Sequence, residues 1–297
     1  MQPTFEKINL NGMRKFKLAL ALVLFVSSAF AQHDPKLLGK VALDRFQQLP
    51  YATWYAPDYS AYVPNAIVLD QLKKSNLSKY TITIFFGSWC GDSKREMPKL
   101  TKVLDLLSFP KNKLTLIGVE DSTELLKQSP QREEMGLNIY RVPTFIIYDG
   151  SKEIGRITES PAESMERDLL KIVDKKEYAS NYRAFPIINQ WLKEGLLKDE
   201  NINPRGLAYQ LKPVVLSESE LNACGYVLMA QANLYEAIVI FRINANLFPT
   251  ANCYDSLGEA YAKAGQKEKA IQAYEVAAQL DPNNMDIQER LKKLKAG

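Results

Sequence analysis

Short apolar runs alternate with amphipathic segments through the first part of the chain. The apolar runs are rich in β-branched and aromatic residues, and they occupy residues 81–86, 113–119, 142–148 and 153–157. Runs of this length predict buried strands. The amphipathic segments predict helices at 66–74, after Asp92 and at 162–173, whereas residues 123–135 fit either a helix or a loop. We expect a strand, a helix and a second strand parallel to the first, because a helical crossover joins them, and then a hairpin around Gly150 and a closing helix.

A second pattern begins near residue 217, where the sequence repeats with a period of 33. The matching positions pair Gly225 with Gly258, Ala237 with Ala270, Phe241 with Tyr274 and Pro249 with Pro282. Such a period predicts stacked pairs of helices, followed here by a capping helix over 286–295. Two units are few for an array that stands alone, so we expect them to pack on a helix predicted at 185–197 or on the first domain.

Composition places the chain among ordinary globular proteins. Its 297 residues have room for about two domains, and 46% of them are hydrophobic and 24% charged. The formal net charge is +4, but four basic residues and one acidic residue fall within the first 31 positions. The remainder is close to neutral, and the basic tail at 292–295 is typical of a solvated helix end. We therefore expect neither a nucleic acid nor an anionic membrane surface as a partner.

Residues 13–31 have the pattern of a secretory signal. A basic start at 13–17 precedes a short apolar stretch and an Ala-Phe-Ala cleavage site at 29–31. The apolar stretch is short for a bilayer, which favours a cleaved signal over a retained anchor, so we expect no stable membrane span after cleavage. No cysteine follows the cleavage site directly, which argues against a lipoprotein, and Met13 is an alternative start of translation. We expect an exported protein, in a bacterial periplasm or secreted.

Cysteine and histidine usage narrows the candidate chemistry. The chain has three cysteines, Cys90 in the first domain and Cys224 and Cys253 in the repeat region. In an oxidising compartment an odd count leaves at least one free thiol or an intermolecular disulfide. We expect Cys224 and Cys253 to be small core residues. The single histidine is His33, beside the predicted cleavage site, which excludes Ser–His and Cys–His catalysis and histidine-rich metal sites. We expect no metal and no cofactor.

Cys90 lies between a predicted strand and a predicted helix and is the strongest candidate for chemistry. A break follows the strand at 81–86, and Asp92 or Ser93 is placed to cap the next helix, with Glu96 completing a capping box. The positive end of that helix favours a thiolate at Cys90 over a thiol. Because nucleophilicity falls with basicity, this effect helps Cys90 more as a leaving group than as an attacking group. The alternative is a buried, inert thiol.

Two segments carry a resemblance to a known superfamily. Residues 89–93, Trp-Cys-Gly-Asp-Ser, with Pro98 five residues further on, resemble the active-site turn of thioredoxins, Trp-Cys-Gly-Pro-Cys. Residues 141–145, Arg-Val-Pro-Thr-Phe, resemble the loop in which that superfamily carries a cis-proline facing the cysteine. The two motifs, in this order, imply an α/β thioredoxin-like sandwich, a central mixed sheet with flanking helices, over residues 66–174.

The resemblance implies a site in which Cys90 and Ser93 are catalytic. It also implies that clients bind along the turn and the cis-prolyl loop, at Trp89, Gly91, Asp92, Val142, Pro143 and Thr144. We expect the bond between residues 142 and 143 to be cis, and the loop to pair its backbone with an extended client strand.

The chain also departs from the superfamily pattern. Ser93 stands where thioredoxins have the second cysteine, and Ile84 replaces a buried acid. Ser93 is placed either to hydrogen-bond the Cys90 sulfur or to cap the helix. The motif alone cannot release a mixed disulfide, so the expected chemistry is monothiol exchange: disulfide shuffling, deglutathionylation with a second thiol, or capture of a partner.

The repeat region resembles the tetratricopeptide repeat. The positions that match are Leu257, Gly258, Tyr261, Ala270, Tyr274, Ala277 and Pro282. This resemblance implies an all-α region after the sandwich and a protein partner bound at the repeats. We expect an exported thioredoxin-like protein, a thiol–disulfide isomerase or reductase of monothiol type acting on protein or peptide thiol and disulfide clients. The alternative is a non-catalytic interaction or assembly module with a degenerate thioredoxin fold.

These patterns divide the chain into five predicted parts. They are a signal peptide at 1–31, an aromatic-rich extension at 32–64, a thioredoxin-like domain at 65–175, a helical connector at 176–216, and two tetratricopeptide repeats with a capping helix at 217–297. The extension carries Tyr51, Trp54, Tyr55, Tyr59 and Tyr62. It is expected either to pack as an extended segment against the domain or to form a rim that contacts a partner peptide.

Overall fold

The computed structural model describes residues 34–199 and 202–296. The predicted signal at 13–31 and His33 lie outside the described residues. The chain divides into two compact units, Met1–Pro35 and Lys36–Gly297, and the sheet and helices that the structure describes belong to the second. Among the helices of the described ranges, none combines the length and the apolar character needed to cross a bilayer. The domain boundaries expected near residues 64, 175 and 216 stay predictions.

Five strands form one mixed sheet. They are β1 (Gly39–Val41), β2 (Thr81–Phe86), β3 (Leu114–Gly118), β4 (Thr144–Asp149) and β5 (Lys152–Thr158). Their order is β1-β3-β2-β4-β5, with β2 and β3 parallel and the other neighbours antiparallel. The parallel register pairs Ile84 with Leu116, both of which are buried. The predicted mixed sheet, its parallel pair and its hairpin are confirmed.

Four helices flank the sheet. They are α1 (Ala52–Ala61), α2 (Ala66–Lys74), α3 (Gly91–Leu106) and α4 (Met165–Val173). The side chain of Asn65 caps α2, accepting a hydrogen bond from the Val68 amide at 3.2 Å, which fixes the start of the helix. Phe86, Met97 and Leu169 are fully buried in one apolar core shared by β2, α3 and α4. Since this core holds both β2 and α3, the turn that joins them is held from both ends.

The aromatic-rich extension differs from the extended segment that the sequence predicts. It contains β1, a 3-10 turn at Leu43–Gln47 and the helix α1, which has Pro57 in its interior. The Phe46 ring lies 5.3 Å from the Phe86 ring, and Tyr55 is buried, donating a hydrogen bond to Thr101 Oγ1 at 2.7 Å. Burial of these rings against α3 outweighs the low helix propensity of the segment.

The rest of the chain is helical. Its helices are α5 (Ala184–Lys193), α6 (Pro204–Leu211), α7 (Glu218–Ala230), α8 (Leu234–Leu247), α9 (Ala251–Lys263), α10 (Lys267–Leu280) and α11 (Met285–Ala296). A Cβ atom on Gly225 would lie 2.6 Å from the Phe241 ring, and one on Gly258 would lie 2.8 Å from the Tyr274 ring. Each predicted repeat is therefore a pair of helices that cross at a glycine, with an aromatic ring filling the space opposite.

The repeats do not stand alone. Phe185 and Ile188 of α5 belong to the same buried cluster as Leu221, Leu228 and Phe241 of the first repeat. Of the two expected supports, the helix near 185–197 and the first domain, the repeats pack on the helix, which is α5. The same cluster includes Tyr140, which precedes β4, so the helical region and the sheet region share buried apolar contacts.

Candidate functional site

The turn between β2 and α3 presents Cys90 at the start of a helix of 16 residues. Cys90 is the N-cap residue, and no side chain caps this end of the helix by a hydrogen bond. The expectation that Asp92 or Ser93 would be the cap is therefore wrong: the helix begins at Gly91, so both residues already lie in its first turn. The Cys90 side chain is partly exposed, and its Sγ donates a hydrogen bond to the Val142 carbonyl oxygen at 3.3 Å.

Ser93 is buried directly beneath this turn. Its Oγ accepts a hydrogen bond from the Gly87 amide at 3.1 Å, so the hydroxyl ties the first turn of α3 to the end of β2. Neither alternative that the sequence left open, a cap or a bond to the Cys90 sulfur, is the contact that the structure gives. This hydrogen bond helps to fix the conformation of the turn that carries Cys90.

Trp89, Gly91 and Asp92 surround the cysteine on the outer side of the turn. The Trp89 indole lies across Gly87, where a Cβ atom would come within 2.5 Å of the ring, and its Nε1 donates to the Val119 carbonyl oxygen at 2.9 Å. Gly91 is exposed, and a Cβ atom there would meet nothing within 4 Å. Asp92 accepts a hydrogen bond from Arg95 in the next turn of the helix. A side chain at position 91 would therefore point into open space, next to Cys90 in sequence.

The second predicted segment lies next to the first. The bond between Val142 and Pro143 is cis, as the sequence predicts, and residues 142–144 are buried. Thr144 Oγ1 donates to the Arg141 carbonyl oxygen at 2.7 Å, and the Pro143 carbonyl oxygen accepts from the Glu159 amide at 2.7 Å. The bond from Cys90 Sγ to Val142 joins the two segments, which are 52 positions apart in sequence.

Lys127 is part of this site, although no sequence pattern predicts it. Its Nζ lies 4.2 Å from the centroid of the Trp89 ring, in the range of a cation–π contact. Burial, helped by the nearby Arg141 charge and opposed by Cys90, Asp121 and Glu159, lowers the Lys127 pKa to about 8. The lysine belongs to an irregular segment with no periodic pattern, so no signal in the sequence placed it beside Trp89.

A charged cluster continues from Lys127 along the cis-prolyl loop. Arg141 Nη1 lies 3.3 Å from Glu159 Oε1, and the Tyr182 hydroxyl donates to Glu159 Oε2. Burial raises the pKa of Glu159, while the Arg141 charge opposes that rise. Asp92, Arg95 and Lys127 also act on the Glu159 carboxyl, which shows that this cluster and the cysteine turn share one electrostatic environment.

The helical region meets the sheet region at the loops beside this cluster. Arg141 Nη2 donates to the Ser219 carbonyl oxygen at 2.8 Å, and Gln128 Nε2 donates to the Ala230 carbonyl oxygen at 2.9 Å. Both acceptors belong to α7, the first helix of the repeats. The loop residues that flank Lys127 and Val142 are therefore anchored by the repeat region.

The other two cysteines are placed differently. Cys224 and Cys253 are buried and unpaired, as expected for small core residues. Burial raises the pKa of both thiols, to about 12 for Cys253, which is also held by Thr250 and Glu218. A buried thiol that resists ionisation is a poor nucleophile, so Cys90 is the reactive candidate among the three.

A separate cleft lies at the outer edge of the sheet. It encloses about 450 Å³ between β5 and the segment that leads into α5, and Thr144 and Arg156 are among its lining residues. Cys90 does not line it. Within the described residues, no group of three or more His, Cys, Asp or Glu side chains is arranged to hold a metal ion.

Comparison with known proteins identifies one part of the chain. The family model of the tetratricopeptide repeat matches residues 251–284, which span α9 and α10. No curated protein and no solved structure matches the chain. The match supports protein interaction as a role of the helical region.

Proposed function

We propose that this protein carries out monothiol thiol–disulfide exchange on protein clients through Cys90, and that its repeats hold those clients. The observation that carries the proposal is the position of Cys90, partly exposed at the uncapped start of a long helix and next to the cis-prolyl loop. Unsatisfied amides and the dipole at such an end stabilise an anion. A thioredoxin-like fold is part of the proposal, supported by the two resembling segments and their contact.

The proposed step exchanges one sulfur–sulfur bond for another. The Cys90 thiolate attacks a client disulfide, a bond forms between Cys90 Sγ and one client sulfur, and the second client sulfur leaves as a thiolate. That thiolate attacks another client disulfide, and a client thiolate finally displaces Cys90. The cycle shuffles disulfides without net oxidation or reduction, so it needs neither a resolving cysteine in the motif nor an external electron donor.

The test follows the refolding of a protein with mispaired disulfides, with a catalytic amount of this protein and no added thiol. We expect the wild type to accelerate recovery of the native pairing and Cys90→Ser to lose the acceleration. The matched control is Cys253→Ser, which removes a buried thiol and keeps Cys90. Equal rates for the wild type and Cys90→Ser would refute the exchange proposal.

The second candidate function is a non-catalytic interaction or assembly module. The match of residues 251–284 to the tetratricopeptide repeat favours it, because such repeats bind proteins without chemistry of their own. Capture of the same partners by the wild type and by Cys90→Ala, with no disulfide-linked adduct in either, is the outcome that this alternative predicts.

Export belongs to the proposal as well. Its support is the signal-like pattern at 13–31, and the compartment it implies, a bacterial periplasm or the exterior, is oxidising enough to supply disulfide-bonded clients. Fractionation of cells that make the tagged full-length chain tests this part. Recovery with the cytoplasmic markers, and a mass that retains residues 13–31, would contradict export.

A further inference from the structure

Lys127 is a cation in an unusual place. Its ammonium lies over the Trp89 ring at 4.2 Å, and its side chain is partly buried. The backbone around it is held by two hydrogen bonds, from the Lys127 amide to the Glu120 carbonyl and from the Glu120 amide to the Gln128 carbonyl, each 2.9 Å long. This arrangement holds the segment that carries Lys127 against the end of β3, beside the Trp89 side chain.

Of the other charges near Cys90, Lys94 lies over the Trp54 ring at 5.9 Å, and the rest have opposite charges as partners. Arg95 pairs with Asp92 and Glu96, Arg141 pairs with Glu159, and Lys36 pairs with Glu120 and Asp121. Among the described residues, no carboxylate oxygen lies within the 4.0 Å of an ion pair from the Lys127 ammonium. A desolvated ammonium without a carboxylate is unfavourable unless another anion stabilises it.

We infer that Lys127 is the counter-cation of the Cys90 thiolate and that its protonation regulates the exchange reaction. The inference deepens the proposed function and rests on it. When a client thiolate attacks the mixed disulfide, the bond to Cys90 Sγ breaks and Cys90 departs as a thiolate. The Lys127 ammonium stabilises that anion, and it also stabilises the thiolate that attacks the next disulfide. Lys127 transfers no proton in either step and acts through the charge it places near the sulfur.

The charged surroundings of Lys127 define the expected dependence on pH. The groups that act on its ammonium are Cys90 from the turn, Arg141 and Glu159 from the cis-prolyl side, and Asp121 from its own segment. Since the Lys127 pKa is about 8, the ammonium is charged at neutral pH and loses its proton at mildly alkaline pH. We therefore expect the mixed disulfide at Cys90 to be released more slowly above pH 8 than below it, when the rate is corrected for the amount of thiolate present.

The experiment measures the rate at which iodoacetamide alkylates Cys90 in the full-length protein between pH 5 and pH 10, by mass spectrometry of the cysteine peptide. In Lys127→Met we expect the midpoint of the pH profile to rise by about one pH unit and the rate at pH 7 to fall about threefold. Lys127→Arg keeps the charge and is expected to match the wild type at pH 7. Lys269→Met is the matched control, because Lys269 also lies over an aromatic ring, Tyr261 at 5.7 Å, in the second repeat.

The outcomes separate this inference from the proposed function. An unchanged profile in Lys127→Met, with circular dichroism showing a folded protein, overturns the inference and leaves the exchange proposal standing. Failure of Lys127→Arg to keep the wild-type rate at pH 7 also overturns it, since the charge is then not the cause, and this variant decides the question if Lys127→Met does not fold. A shifted profile in a protein that does not shuffle disulfides overturns the proposed function but confirms the ion pair.

Discussion

At the residue scale, the Lys127 ammonium is less stable in the folded protein than it is in water. Burial lowers its pKa to about 8, so the folded state binds this proton more weakly than the unfolded state does. Groups with perturbed ionisation cluster at functional sites, and the position of Lys127 beside Trp89 and Cys90 fits that rule.

The lowered pKa of Lys127 in the folded state predicts how Lys127→Met changes the free energy of unfolding. The charged lysine destabilises the folded state at pH values below about 8, and the destabilisation is relieved as the pH rises through the folded pKa toward that of a free lysine near 10.4. We expect Lys127→Met to raise the free energy of unfolding at pH 7 by about 1–3 kcal/mol, with a smaller gain at pH 10. Urea unfolding at both pH values measures it.

The control for this prediction is Lys152→Met, which removes an exposed lysine at the start of β5 and is expected to change stability by less than about 0.5 kcal/mol. A loss of stability in Lys127→Met at pH 7 would contradict the prediction. Greater stability together with slower alkylation of Cys90 would show that this position favours reactivity over stability.

At the element scale, each repeat depends on a glycine where two helices cross. A methyl group on Gly225 would lie 2.6 Å from the Phe241 ring, well inside van der Waals contact, and both residues are buried. The ring cannot withdraw, because it fills the core between α7, α8 and the neighbouring helices. The same arrangement recurs 33 residues later at Gly258 and Tyr274. The 33-residue period of the sequence therefore corresponds to a repeated contact between a glycine and an aromatic ring.

Gly225→Ala is therefore expected to destabilise the helical region. Overpacking at a rigid contact costs about 1–3 kcal/mol, more than the 0.5–1 kcal/mol that alanine gains over glycine in a helix. Gly206→Ala is the matched control, since Gly206 lies in α6 and its nearest neighbour would be 3.8 Å from the new methyl group. Thermal unfolding followed by circular dichroism compares the two. Equal melting temperatures would contradict the packing argument.

At the scale of the whole molecule, the site is assembled from both regions of the chain. Tyr140 donates a hydrogen bond to Asn189 Oδ1 at 2.9 Å and belongs to the core of the helical region. Gln128 and Arg141 bond to carbonyl oxygens of α7. These contacts come from the loops that also carry Lys127 and Val142, so the repeats support the site as well as offering a binding surface.

The contacts between the two regions predict that Lys36–Gly297 unfolds in one cooperative transition. Urea curves from far-ultraviolet circular dichroism, which reports mainly on the helices, are expected to coincide with those from the fluorescence of Trp54 and Trp89 in a Trp191→Phe background. Gln128→Ala removes one bond between the regions and is expected to lower the free energy of unfolding by about 1 kcal/mol without separating the two curves. Two separate transitions in the wild type would contradict this prediction.

Much of the fold follows from local patterns. The strand at 81–86 and the helix at 66–74 have the predicted bounds, because their apolar periods and the Asn65 cap act within a few residues of one another. The 33-residue period likewise predicts the helix pairs. In contrast, the local pattern predicts an extended segment or a rim where α1 lies, because this helix depends on rings packed against α3, more than 30 residues away in sequence.

The sequence by itself determined the strands and helices from residue 66 to residue 86, the repeat and the choice of Cys90, since each is encoded in spacing along the chain. Only the tertiary structure decided what surrounds the sulfur. Ser93 bonds to Gly87 beneath the turn, the Val142 carbonyl faces Cys90, and Lys127 lies over Trp89. These neighbours come from separate segments brought together by the sheet and its loops, and the electrostatics of a thiol depend on such neighbours in space and on burial.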